Sequence, residues 1–184
     1  MDRELVIRAR EGDHDAFARL AAGSIGRLNA IARLILGDHA RAEDAVQDAL
    51  VDAWRNLRGL RDPDRFDAWL TRILVRSCQD ARRLEGRRRL VELPFFGDGP
   101  ASDDAQKSIA DTDLVERGLR LLSIDQRTVL VLSFYLDLPL ADSAAILGIP
   151  LGTMKSRQSR AIDALRATIA ATDRTPGYPA ERLA

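Results

Sequence analysis

The sequence predicts an all-α protein of two small helical domains joined by a flexible linker, the second domain containing a helix-turn-helix. Three observations predict it. Before residue 93 and again after residue 111, apolar residues recur three and four positions apart, the spacing that gathers them on one face of a helix. Between those stretches, residues 93–111 hold Pro94, Gly97, Gly99, Pro100 and a cluster of Ser and Asp, a composition with too little apolar surface to build a core. The third observation is the stretch from Leu140 to Arg166, where Ala144, Gly148 and Met154 stand at helix-turn-helix spacing. Two helices that meet steeply need a small side chain where their axes approach, and Ala144 supplies it. Gly148 can take the left-handed conformation that ends a helix within one residue. Ile149 and Met154 then turn inward. The predicted boundaries are 1–92 for the first domain, 93–111 for the linker, 112–171 for the second domain and 172–184 for a tail.

Taken in order, residues 2–11 read as a short helix with Leu5, Val6 and Ala9 on one side, closed by Gly12. A second helix is capped by Asp13 and runs to Leu36 on Phe17, Leu20, Leu28, Ile31, Ala32 and Ile35. Gly23 and Gly26 weaken its middle, and a kink or break is expected there. Asp38 caps a third helix, in which Ala42, Ala45, Val46, Ala49, Val51, Ala53, Trp54 and Leu57 make a broad apolar surface. Glu43, Asp44, Gln47, Asp48 and Asp52 fall mostly on another side. Such a face could dock on a basic partner, but on this helix alone it reads first as a solvated face.

Asp62, Pro63 and Asp64 form a turn and start signal. The fourth helix is expected from Asp64 to Leu84, with Phe66, Trp69, Leu70, Ile73 and Leu74 inward. Arg72, Arg76, Asp80 and Arg83 share its outward side, and the run continues into Arg87, Arg88 and Arg89, a patch suited to phosphate. The second domain opens with LVERGLRLL, continues through DQRTVLVLSFYL and closes with the helix-turn-helix. Lys155, Ser156, Ser159 and Arg160 lie on one face of its second helix, with Arg157 at the flank. Cations and short hydroxyls on one face fit a major groove, although a solvated helical hairpin carries such faces too.

Composition narrows the choices. The formal net charge is zero, so no global field draws the chain to nucleic acid, yet the charge is unevenly placed. Residues 61–90 carry nine Arg against five acids, and residues 91–125 carry three bases against eight acids. Basic charge confined to patches fits a DNA-binding protein. The lone cysteine, Cys78, excludes an internal disulfide and a cysteine-rich zinc site. No apolar run reaches the length of a membrane span, and the N-terminal residues lack a signal-peptide core, so a cytoplasmic protein without membrane insertion is expected. His14 and His39 are the only histidines and have no partner at ligand or triad spacing. Neither a catalytic residue, nor a metal site, nor a cofactor is expected.

Read together, AEDAVQDALVDAWRNL, RFDAWLTRILVRSCQDARR and SIDQRTVLVLSFYLDLPLADSAAILGIPLGTMKSRQSRAIDALR resemble bacterial RNA polymerase sigma factors of the extracytoplasmic-function group, from about residue 13 to residue 169. GIPLGTMKSR is the most specific piece. The resemblance implies a subunit without catalysis of its own, which binds core RNA polymerase and directs initiation by recognising the minus-ten and minus-thirty-five elements of promoter DNA. It maps Asp44, Gln47, Asp48 and Trp54 onto the polymerase-binding helix. It maps Arg72, Arg76, Asp80 and Arg83 onto the minus-ten reader, and Thr153, Lys155, Ser156, Arg157, Ser159 and Arg160 onto the minus-thirty-five reader. It also implies an anti-sigma factor as a partner. Two positions depart from the pattern: Arg76 stands where family members commonly have Asn, and Ser143 where many have an apolar residue. Ser143 is expected to bond back to a carbonyl one turn earlier. The competing reading is a free-standing helix-turn-helix regulator whose N-terminal helices act as a sensor.

Overall fold

A computed structural model describes residues 2–91 and 118–173, with side chains described as far as residue 81 in the first stretch and residue 170 in the second. The expected linker, the start of the second domain and the tail beyond 173 lie outside the described residues.

The first domain is built from α1 (Arg3–Arg10), α2 (His14–Leu36), α3 (His39–Asn56) and α4 (Phe66–Val91). Each of the first three starts at an aspartate cap. Asp2 accepts from Glu4 N–H at 3.0 Å, Asp13 from Ala16 N–H at 3.0 Å and Asp38 from Arg41 N–H at 2.8 Å, each satisfying a donor that the first turn of the helix leaves unpaired. Asp13 also takes an ion pair from Arg8 at 2.6 Å, which ties α1 to the start of α2. The Ala16 N–H first, and Arg8 second, hold its carboxyl below the usual range.

α2 is helical without interruption through Gly23 and Gly26, so the expected break does not occur. A glycine inside a helix costs about 1 kcal/mol relative to alanine, whereas a fully buried leucine contributes roughly 1.5–3 kcal/mol. Leu20 and Leu28, both buried, flank the glycines and carry the helix through. Val51 also departs from expectation, being 47% exposed. It lies about 140° round α3 from Val46 at 100° per residue, outside the stripe of Ala42, Ala45, Val46, Ala49 and Ala53 that the core covers. The fourth helix begins later and runs further than the Asp64–Leu84 span expected. Asp62 caps a 3-10 turn at Pro63–Arg65, and α4 follows from Phe66.

α3 packs against both α2 and α4, and α1 against α2. Phe66, Leu70 and Leu74 of α4 are fully buried with Ile31 and Ile35 of α2. Arg27 of α2 fixes the crossing by donating to Asp67 at 2.7 Å and to the Thr71 hydroxyl at 3.0 Å on α4.

In the second domain, Ser123 and Gln126 form a capping box that starts α5 (Ile124–Leu130). A π-helical turn, Val131–Tyr135, follows, and then α6 (Leu140–Leu147) and α7 (Leu151–Asp173). This domain has two small cores of its own, Leu122, Leu130 and Ala161 in one, Val129, Ala144 and Met154 in the other. Among its described residues, the other buried apolar ones, Val131, Leu132 and Ile146, belong to the core of the first domain. α5 meets α2 and α4, and α6 meets α4. The two domains therefore touch along an apolar seam.

Candidate nucleic-acid interface

The helix-turn-helix has the form its sequence implies. Gly148 ends α6 at φ 64°, in the left-handed region, and its N–H bonds to the Ala145 carbonyl at 3.3 Å while Ile149 N–H reaches Ala144 O at 3.0 Å. Ala144 is 4% exposed, and Met154 is fully buried beneath it. Packing at that point fixes which side of α7 faces outward. Lys155, Ser156, Ser159 and Arg160 are exposed, and Thr153 and Arg157 are half-buried.

The outward groups are linked to each other. Arg160 donates from Nε to the Ser156 carbonyl and from Nη2 to the Ser156 hydroxyl, each at 3.2 Å, and that hydroxyl donates to Thr153 O at 3.0 Å. The guanidinium is thus laid back one turn along the helix. Arg157 and Arg160 also share an open cleft of about 210 Å³ with Ser123, Asp125 and Gln126, residues that the sequence reading did not single out. The signal was present in the S-x-x-Q spacing of a capping box, which fixes the start of α5 beside α7.

Ser143 departs from its expectation. It is fully buried, and its hydroxyl has no hydrogen-bond partner; the back-bond to a carbonyl one turn earlier is not made, although its N–H reaches Pro139 O at 2.9 Å.

On α4, Arg72, Arg76 and Asp80 are exposed at four-residue intervals, opposite the buried Leu70, Leu74 and Cys78. The side chain of Arg83 lies outside the described residues, as do those of Arg87, Arg88 and Arg89. Burial pushes the Cys78 thiol up to about 12, so it stays protonated.

On α3, Asp44, Gln47 and Asp48 are exposed together. Trp54 is not with them. It is half-buried in a ring cluster with His14 at 4.4 Å and Phe17 at 5.0 Å between centroids, and so holds α3 against α2.

Among the described residues, no group of three or more His, Cys, Asp or Glu is placed to hold a metal ion, and no helix is long and apolar enough to cross a membrane.

Two family models match the chain, Sigma-70 region 2 over residues 24–88 and Sigma-70 region 4 over residues 118–167. Among curated relatives, the ECF RNA polymerase sigma factor SigM of Mycobacterium tuberculosis is 32% identical over 160 residues, covering 87% of this chain and 80% of the relative. SigW of Bacillus subtilis, also an ECF RNA polymerase sigma factor, is 28% identical over 178 residues, covering 90% and 95%. Among solved structures, the sigma factor RpoE of Bartonella quintana, determined with the anti-sigma factor NepR, aligns at a TM-score of 0.70 with 31% identity, over 84% of this chain and 96% of that one. CnrH, determined with the cytosolic domain of CnrY, aligns at 0.60 with 29% identity, over 92% and 97%. With both regions matched in order, and relatives of this identity spanning most of its length, the chain belongs to the ECF RNA polymerase sigma factors.

Proposed function

We propose that this promoter-specificity subunit divides its work among three surfaces. α7 reads the minus-thirty-five element as duplex through Lys155, Ser156, Ser159 and Arg160, with Thr153 and Arg157 at the edge. α4 reads the minus-ten element through Arg72, Arg76, Asp80 and Arg83. Asp44, Gln47 and Asp48 of α3 dock on core RNA polymerase, and Trp54 sets the position of that helix from behind. Residues 1–92 and 112–171 act as the two working units, with 93–111 as the connection and 172–184 as a tail.

The observation that carries this reading is the outward side of α7. Its two cations and two hydroxyls are presented together by a helix-turn-helix whose inward side is fixed by Met154. A helix of that kind enters the major groove with side chains toward base edges and phosphates. An anti-sigma factor is a fitting partner, since RpoE of Bartonella quintana was determined with one. The chain works in the cytoplasm, where polymerase and promoter are, and does no catalysis of its own. The free-standing regulator is the weaker reading, because the first domain matches sigma region 2 and its helices enclose a packed core.

Run-off transcription with core polymerase, followed by mapping of the start sites, tests the function, and two variants test the residues. A guanidinium that reaches guanine O6 and N7 discriminates by roughly 1–3 kcal/mol. Arg160→Ala is therefore expected to weaken the preferred minus-thirty-five duplex and relax its preference at one position. Lys155→Ala, acting at phosphate, is expected to weaken all duplexes about equally and to lower the salt slope by about one. An even loss across every duplex for Arg160→Ala would make that residue a phosphate anchor instead.

A further inference from the structure

A cleft of about 230 Å³ opens in the first domain between the end of α1 and the end of α3. Its lining holds three arginines and no acid. Arg10 is the last residue of α1, Arg55 lies in the last turn of α3, and Arg58 in the 3-10 turn Leu57–Gly59 that follows. Trp54, packed on His14 and Phe17, makes one wall. Gly12, at φ 102°, turns the chain at the edge and puts no side chain into the space.

Arginines at helix ends often answer the negative end of the helix dipole or bond to the last carbonyls. Here those carbonyls are already taken. The carbonyls of Ile7, Arg8 and Ala9 receive the N–H groups of Glu11, Asp13 and Gly12, and that of Trp54 receives Leu57 N–H. The Nε of Arg10 is closed to water and has no hydrogen-bond partner, a cost that a freely solvated side chain does not incur. Arg55 reaches only Asp52, at 3.9 Å with both side chains exposed, a pairing of little worth. Arg58 is exposed and has no ion pair among the described residues. Three positive charges thus face one space with little to offset their repulsion.

We propose that this cleft binds the phosphate group of a small molecule, a monoester or diphosphate of the kind a nucleotide carries. A phosphate monoester has a charge of about −1.5 to −2 near neutral pH, and its oxygens match the fork of a guanidinium in a bidentate pair. The volume suits such a group and little more, since pockets that enclose a whole ligand start at roughly 300 Å³. The rest of the molecule therefore stands outside. The surroundings disfavour a nucleic-acid strand. Glu11 directly follows Arg10, and Asp52 precedes Arg55 by three residues, both acids being exposed. A strand with a phosphate at every nucleotide would pass these acids on leaving the cleft, whereas a single group would not. The site shares only the supporting Trp54 with the promoter and polymerase surfaces and does not rest on their assignment.

The test titrates the full chain with inorganic pyrophosphate by calorimetry, at fixed ionic strength and without polymerase or divalent metal. Saturable binding at a single site is expected, with a thermal midpoint that rises as pyrophosphate is added. Arg10→Gln and Arg58→Gln each remove one charge-assisted contact and are expected to weaken binding roughly tenfold. Arg10→Lys keeps the charge but lacks the Nε–H and the fork, and is expected to recover only part of that loss. Arg33→Gln removes an exposed arginine about 30 Å from Gly12 along α2 and is expected to leave the affinity unchanged. A six-nucleotide single strand is the second probe, and its affinity is expected to be the same for the wild-type chain and Arg58→Gln. Four results, each with helicity intact by circular dichroism, would overturn the proposal. Absence of saturable binding would show that there is no site, and an equal loss in Arg33→Gln would show attraction by diffuse charge. Full recovery in Arg10→Lys would remove the role of the guanidinium fork. A strand whose binding falls with Arg58→Gln would assign the cleft to nucleic acid.

Discussion

Ser143 illustrates how much one atom decides in a domain this small. Its hydroxyl is buried without a partner, and an unsatisfied buried polar group costs roughly 1–3 kcal/mol. The second domain's own cores are small, Leu122, Leu130 and Ala161 in one and Val129, Ala144 and Met154 in the other, which leaves little to offset such a loss. Ser143→Ala removes the oxygen without adding bulk and is expected to raise stability by about 1 kcal/mol, measured by urea unfolding. A loss of stability would mean that the hydroxyl has a partner in solution. The sequence placed Ser143 at an apolar position of the helix-turn-helix. It could not say whether a carbonyl would be within reach, because that depends on how α6 leans on its neighbours.

The same division between local and tertiary causes runs through the elements. Gly23 and Gly26 lie inside an unbroken α2, and a Cβ added at either meets nothing within 4 Å. Gly23→Ala and Gly26→Ala are each expected to stabilise the first domain by about 0.5–1 kcal/mol, through helix propensity and a less flexible unfolded chain, raising the thermal midpoint. A fall would show that one of these glycines allows a close contact in solution. The aspartate caps of α2 and α3, the helix-turn-helix and the apolar stripe of α4 were legible because each depends on residues within one or two turns. Continuity of α2, exposure of Val51 and the seating of Trp54 against His14 and Phe17 depend on neighbours distant in sequence. The exposed faces of α3, α4 and α7 were legible as patterns of charge, but the back-folding of Arg160 onto Ser156 was not, because long side chains choose among rotamers that spacing does not distinguish.

At the scale of the whole molecule, two linked domains with separate grips were expected, and the structure adds a contact between them. That contact was hidden because apolar spacing shows that a face is covered, not which domain covers Val131, Leu132 and Ile146. The uncovered seam also has a consequence for self-association. When the seam opens, the face carrying Leu132 is left bare, and the complementary face on the first domain is identical in every copy of the chain. Two open chains can therefore close onto each other reciprocally, each second domain taking the place of the other's, as in domain swapping. A tether keeps its own domain at an effective concentration of about millimolar, so monomers are expected in dilute solution and exchanged dimers only as the protein concentration nears that level. Gly37→Asn, whose side chain would run into the Arg127 guanidinium across the seam, hinders both kinds of closure alike and should not enrich the dimer. Shortening the connection so that a domain cannot fold back on its own chain should convert monomer into dimer, and sizing chromatography with light scattering would detect the change. A shortened chain that stayed monomeric at high concentration would mean that the two faces do not meet between copies.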